Sequence, residues 1–477
     1  MMYTWIKRAA CGAAAVLMAL TVCACKDGKK AGGTTGSIQP LEGETPVKLG
    51  GYEFKVIDFH GGRWQRSEES TPFSDAWNQI LDEVETLYEC TITAEQIPPA
   101  EVFTRVQPEI LAGDKCADVI VTTQWAYGQL IAGKLMRDLN TLEVNWDNAW
   151  WNQRVREMST IKGETFAVNG SFIFDTAQTW LLYYNADIWQ ELKLPDPYEL
   201  VNSGKWTFDK YAEYAKLAMR DDDQSGKVDS TSDRWGVFGS ITDYCRALFM
   251  GMGGHYFSTD DATGRVQLAC NTNRTFDIVE KMYRMNKQDQ SCCLFNPDRQ
   301  EDLFVSGHSL FYGSMPGVSE LKDMESDWGV LPMPKFDESQ EEYLSGVDHN
   351  AAVCGVPITN TDSRETSILL EALGRHAMIL EDVYWPDYED TYWRNPEKDA
   401  AVIANHVLGH GQYDMALLMQ NCDSATFGTP MSLVYGSAFG GSGSDFSSLM
   451  EAVTPTLQLQ INEFFGYEQP ASDETAA

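Results

Sequence analysis

The run DDDQSGKVD, Asp221 to Asp229, places oxygen-bearing side chains at alternate positions. Asp221, Asp223, Ser225 and Asp229 match positions one, three, five and nine of a calcium-binding loop. Gly226 falls at the turn position, and Lys227 can offer its carbonyl. Position twelve is Ser232 rather than glutamate, with Asp233 after it, so a solvated acidic turn is the favoured reading and a calcium site the alternative. A second chemistry arises where aromatic rings stand beside hydrogen-bonding groups. His60, Arg63 and Trp64 form one such set, and Thr123, Gln124 and Trp125 another. The rings offer apolar faces and the polar groups fix orientation, a combination suited to a ligand with both kinds of surface. No G-x-S-x-G, H-E-x-x-H or phosphate-binding loop occurs. A glycoside hydrolase needs only two carboxylates about 5–10 Å apart, so the 70 acidic residues leave that alternative open. No cofactor is implied beyond a structural calcium.

Both aromatic sets follow stretches that read as strands. GYEFKVIDF, residues 51 to 59, is a strand bounded by glycines, and FSDAWNQILDEVETLYE, 73 to 89, has helical apolar spacing. CTITAEQI reads as a second strand, AEVFTRVQPEILAG as a helix ending at Gly113, ADVIVTT as a third strand and AYGQLIAGKLMRDL as a third helix. Such alternation predicts a parallel sheet covered on both faces. A second α/β unit begins after FAVNGSFIFD. TWLLYYNADIW runs from strand to short helix, Thr207 is an N-cap candidate for the helix in 206 to 220, and HSLFYGSMPGVSELK and WGVLPMPKF each hold a strand. Trp77, Trp189, Trp206, Trp235 and Trp328 lie within element patterns and are expected in the core. Loops beyond the carboxyl ends of strands are where doubly wound sheets hold ligands, and that rule selects His60 to Trp64 and Thr123 to Trp125.

The amino terminus carries Lys7 and Arg8 and then a small, apolar run from Ala9 to Val22, the pattern of a secretory signal peptide over residues 1 to 24. Val22-Cys23-Ala24-Cys25 resembles the lipobox of bacterial lipoproteins. That resemblance makes Cys25 the acylated first residue of the mature chain, anchored to the outer face of the cell membrane. Residues 25 to 50 are rich in Gly, Thr, Lys and Pro and are expected to form a flexible tether. The formal net charge of -34 argues against nucleic acid as a partner and, more weakly, against an anionic ligand, although a local pocket can oppose the global field. Cys90, Cys116, Cys245, Cys270, Cys292, Cys293, Cys354 and Cys422 remain in the mature chain without C-x-x-C spacing. Most of them read as small buried hydrophobes.

Several segments, in order, resemble the family 1 extracellular solute-binding proteins. They are ADVIVTTQWAYGQLIAGKLMRDL, LLYYNADIW, KWTFDKYAEYAKLA, HSLFYGSMPG, WGVLPMPK and AAVCGVPITN, together with the later YWPDYEDTYWRNPEKDAAVIANHVL. The resemblance covers about residues 50 to 466. It implies an α/β, two-lobed periplasmic-binding-protein-like fold (type II) with a hinge and an interlobe cleft. Lobe one would take residues 51 to 173 and 351 to 394, and lobe two 174 to 350 and 395 to 477. It further implies a monomeric, non-enzymatic receptor that captures a small solute, a sugar or oligosaccharide in many members, and delivers it to the permease of an ABC importer. A peptide or another solute is the alternative ligand, since fold does not determine function. By the same resemblance the crossing segment corresponds to Phe174 and Asp175, with Trp180 nearby. The cleft loops of lobe two hold Asp243, Tyr244, Ser314 and Met315, and Tyr435 stands where members often stack a sugar. Met315 replaces the aromatic often found in that loop.

Overall fold

The computed structural model describes residues 38–174, 178–229, 231–239, 241–260, 262–293, 300–392, 394–439 and 445–468. Strand β1 (Tyr52–Asp58) buries Phe54 and Val56 on one face and Ile57 on the other, as a strand covered on both sides must. Helix α1 (Pro72–Tyr88) starts at a capping box in which Thr71 and Ser74 exchange side-chain and backbone hydrogen bonds. It turns Trp77, Ile80, Leu81, Val84, Leu87 and Tyr88 inward at helical spacing. Strand β2 (Cys90–Gln96), helix α2 (Pro99–Ala112), strand β3 (Val119–Thr123) and helix α3 (Gln124–Ala132) follow. The third helix thus ends at Gly133, short of the sequence expectation, because Met136 leaves it to bridge Pro357.

The chain then crosses into the second lobe. Its elements are β4 (Leu181–Asn185), α4 (Phe208–Ala218), β5 (Trp235–Phe238), α5 (Ile241–Gly251), β6 (Cys292–Cys293), β7 (Ser309–Ser314) and β8 (Trp328–Leu331). It returns through β9 (Ser345–Gly346) to β10 (Ala352–Gly355), α6 (Ser363–His376) and α7 (Ile379–Tyr392). It ends with β11 (Gly411–Gln412), α8 (Met415–Met419), α9 (Thr429–Ala438) and α10 (Phe446–Phe465).

The first sheet has the order β10-β3-β1-β2 and the second β6-β5-β7-β4-β8. Neither is wholly parallel, against the sequence expectation. The strand following each crossing, β4 or β10, enters antiparallel to its neighbours because the chain arrives from the cleft edge. For the same reason the first residues of β4 and β10 lie level with the carboxyl ends of their partners, Leu181 opposite Ser314 and Ala352 opposite Thr123. The crossings and the carboxyl ends of these partner strands therefore share one edge of each sheet. The two lobes are joined by adjacent crossings: Thr179 bridges Val347 antiparallel, and β9 pairs with β11.

One buried cluster fills the face of the first sheet under α1 and α6. The other runs from α2 and α3 through the whole second lobe, since α8 packs on α3. Trp77, Trp189, Trp206, Trp235 and Trp328 are all buried in these cores, as expected. Cys90, Cys116, Cys245, Cys270 and Cys354 are buried free thiols, and Cys422 is half-buried.

Residues 38 to 50, expected within a free tether, instead lie on the first lobe. Ile38 and Leu49 pack against its core, Leu49 N donates to Tyr88 O, and Glu44 is enclosed. His376 on α6 sits between Glu44 and Glu83, with each ring nitrogen 2.9 Å from a carboxylate oxygen. Burial alone would raise the Glu44 pKa, but bonds from His376, Leu41 N and Tyr88 outweigh it and hold it down to about 2. Burial alone would lower His376, but bonds to Glu44 and Glu83 lift it to about 9. A composition rich in small polar residues hid this strap, whose fixing points are a few single side chains.

Candidate functional site

The crossing from β9 to β10 carries Asp348, His349 and Asn350, and Asp348 is the centre of a group drawn from both lobes. Its backbone N–H donates to Gln178 O on the other crossing, and its carbonyl accepts from Gln124 Nε2 at 2.7 Å. Its carboxylate accepts from Trp180 Nε1 at 3.3 Å and from the backbone and side-chain nitrogens of Asn350, both at 2.9 Å. Arg246, on the second turn of α5, lies 2.7 Å from Asp243, 3.6 Å from Asp348 and 3.3 Å from His349 Nδ1. Side chains of Asp243, Asp348 and His349 converge closely enough to suggest a metal, but the Arg246 guanidinium occupies the position a cation would take.

Trp125 stands at the mouth of this group. It is the second residue of α3, half-buried, with its Nε1 donating to Asn350 Oδ1 at 3.1 Å and its carbonyl accepting from Asn421. The first lobe thus presents the ring while the returning crossing holds its polar edge.

The other expected residues divide. Gln124 is fully buried and works in the hinge, its backbone N–H donating to Ala351 O. Thr123 is buried beside it. Trp64 belongs to the core: it is 4% exposed, donates to Asp58 Oδ2 at 2.5 Å and packs edge-on against Trp77. Asp58 draws the indole inward because a buried carboxylate needs donors. Tyr244 is also buried, its hydroxyl bonded to that of Tyr211. Its ring fills the space a Cβ would need at Gly239 and Gly313, so two glycines at strand ends make room for it. Ser314 and Met315 are half-buried at the end of β7, with Met315 O accepting from Tyr183. Tyr435 is half-buried on α9, which packs against α5. Asp175 and Cys25 lie outside the described residues.

His60 is exposed at the end of β1, with its N–H bonded to Asp58. Partial desolvation and the Arg63 cation push its pKa below the ordinary range, against a smaller pull from Asp58. Beneath it lies a cavity of about 400 Å³ reaching Arg63, Phe73, Phe174 and Tyr384.

In the acidic loop the carboxylates of Asp221, Asp223 and Asp233 come within 4.8 Å of one another. Asp233, which is buried, takes the place that spacing had given to Asp229, whose carboxylate pairs with Lys227. Ser225 N and Gly226 N both donate to Asp221, with Gly226 at a φ of 96°.

Arg246, Asp348, His349, Asn350 and Tyr384 were not singled out in the sequence. The one signal was the polar stretch VDHN between two apolar segments, where a buried crossing needs internal partners.

The family model for bacterial extracellular solute-binding proteins matches residues 69–349. The chain belongs to that family. No curated protein matches the chain. Among solved structures, a cyclo/maltodextrin-binding protein complexed with maltotetraose is 14% identical, with a TM-score of 0.57 over 86% of this chain and 97% of that one. A maltose-binding periplasmic protein from Listeria monocytogenes in complex with maltose is 12% identical, with a TM-score of 0.56 over 86% and 98%. UgpB from Mycobacterium tuberculosis in complex with glycerophosphocholine is 15% identical, with a TM-score of 0.52 over 88% and 99%. At these identities the likeness is one of fold. The family and the first two of these neighbours are binding proteins, and no helix among the described residues is long and apolar enough to cross a membrane.

Proposed function

We propose that this solute-binding protein captures a sugar or oligosaccharide between its lobes and passes it, without chemical change, to an ABC importer. The observation that carries this reading is Trp125: a half-buried ring at the carboxyl edge of β3, steered by Asn350 on the crossing that must move when the lobes close. A ring face beside amide and imidazole groups suits the CH face and hydroxyl rim of a sugar. Neighbours that hold maltose and maltotetraose support the same class. The test is a thermal-shift panel of mono- and oligosaccharides including maltotetraose, followed by small-angle scattering with any ligand that raises Tm. A smaller radius of gyration on binding is expected. If no carbohydrate shifts Tm while a peptide pool does, the sugar reading fails.

Two subsidiary readings belong with it. Cys25 is the acylated residue, so Cys25→Ser should leave the membrane fraction; continued lipid labelling would refute it. The Asp221–Asp233 loop holds a structural calcium, supported by its three convergent carboxylates. Millimolar calcium should raise Tm in the native chain and not in Asp223→Asn, which alters an exposed ligand only; equal Tm with calcium and with chelator would return the loop to a solvated turn.

A further inference from the structure

Arg63 is the unusual group at the cleft edge. It lies in the turn after β1, held there because Trp77 Nε1 donates to its carbonyl and its own N–H donates to His60 O. Its guanidinium makes no hydrogen bond or ion pair among the described residues, and its Nη1 is buried without a partner. Arg63 as a whole is half-buried and lines the cavity beside it, so the rest of its guanidinium, without a protein acceptor, keeps its donors for water or a ligand.

The cavity beside it supplies the space. It measures about 400 Å³, large enough for a sugar ring, and none of its lining residues among the described ones carries a carboxylate. In a chain with 70 acidic residues against 36 Lys and Arg, a hollow whose described lining has arginine and histidine but no acid opposes the overall field. Its apolar side is an aromatic trio. Phe174 lies 5.1 Å from Phe73 and 4.7 Å from Tyr384, centroid to centroid, and Phe73 and Tyr384 are 5.9 Å apart. All three are only half-buried. Phe174 is held at φ 43°, a left-handed conformation that a bulky residue adopts only under constraint.

We propose that this hollow receives the oxyanion of an acidic sugar, a carboxylate or phosphate accepted by Arg63 while the ring rests on the Phe73–Phe174–Tyr384 surface. The proposal rests on the carbohydrate reading above and narrows it: the solute is anionic. A planar guanidinium fork suits both carboxylate and phosphate, so the two sources must be told apart by experiment.

The test is calorimetric titration with di- and trigalacturonate, with a sugar phosphate, and with uncharged galactose oligomers of matching length. An acidic ligand should bind about tenfold or more tightly than its neutral counterpart, the scale of one charge-assisted hydrogen bond. Arg63→Gln should erase that preference while leaving the ligand-free Tm in place, and Arg63→Lys should retain part of it. Galacturonate preferred over the phosphate identifies a carboxylate, and the reverse a phosphate; either supports an oxyanion subsite. In the unaltered protein, raising sodium chloride from 0.05 to 0.5 M should weaken the acidic ligand and spare the neutral one, a readout independent of how the variants fold. A preference that survives in Arg63→Gln overturns the proposal. Neutral oligosaccharides binding as well as acidic ones overturn it and leave the carbohydrate reading standing; no carbohydrate of either charge binding overturns both.

Discussion

Arg246 and Arg63 each hold a guanidinium at the cleft edge of a lobe, in opposite circumstances. Arg246 has Asp243, Asp348 and His349 around it and belongs to a group that ties α5 to both crossings. Arg63 lines a hollow with no acid among its described lining residues and leaves a buried nitrogen unbonded. A cation already paired on several sides adds order to the framework and has little left to offer a solute. A cation without a protein partner makes the framework no stronger and keeps its donors for water or a ligand. Composition cannot distinguish them. Only the neighbours can.

The largest expected effect comes from making Arg246 resemble Arg63. Asp348→Ala removes its buried counter-charge and strips Trp180 and Asn350 of their acceptor. Urea unfolding should show a loss of about 3–5 kcal/mol, the scale of breaking a buried ion pair. A loss below about 1 kcal/mol would mean the group is decoration on a hinge held by backbone pairing alone. Next, Trp125→Ala should weaken binding of the cognate solute by about 2 kcal/mol, roughly thirtyfold, with little change in Tm because the ring is half-exposed. An unchanged affinity with a sharply lower Tm would move Trp125 into the core beside Trp64.

A comparable effect, on the order of 2 kcal/mol, is expected from pH at the strap. His376 is raised to about 9, so its contribution is complete below the unfolded value near 6.5 and is lost as pH rises from there through 9. Glu44 is lowered to about 2, so its contribution is complete above about 4.5 and is lost as pH falls toward 2. Amide protection factors over residues 38 to 50, which correct for the intrinsic rise of exchange with pH, should therefore be highest between about pH 4.5 and 6.5 and should fall by pH 9.5, with Glu44→Gln flattening the profile. Equal protection factors at pH 6 and pH 9.5 in the native chain would show that apolar packing alone holds the strap. The smallest effect is the counterpart of the first: Arg63→Gln should change ligand-free stability by less than about 0.5 kcal/mol, since no protein partner is lost. A larger fall would place Arg63 with Arg246 as framework.

The periodic parts of this architecture were readable in the chain, because a helix face or a buried strand repeats its signal over many residues. The three β-α steps of the first lobe and the five core tryptophans are of that kind. The reversed strands β4 and β10 were not, since strand direction depends on where the chain comes from. At the cleft, position at a strand end selected the loops but could not say which of their side chains turn inward. Trp64 and Tyr244 occupy such ends but turn inward, one toward Asp58 and the other over Gly239 and Gly313. The Asp348 group escaped because Gln124 and Trp180 meet it across 224 and 168 residues of sequence.

The docked strap alters the geometry of search. If acylated Cys25 marks the membrane, a leash ending at Gly50 could extend about 85 Å at full stretch, whereas one ending at Ile38 could extend only about 45 Å. Halving the radius cuts the volume swept by the receptor about eightfold and raises its effective concentration at a neighbouring permease by the same factor. The Glu44–His376 contact, remote from the cleft, would then govern how often a loaded receptor meets its transporter.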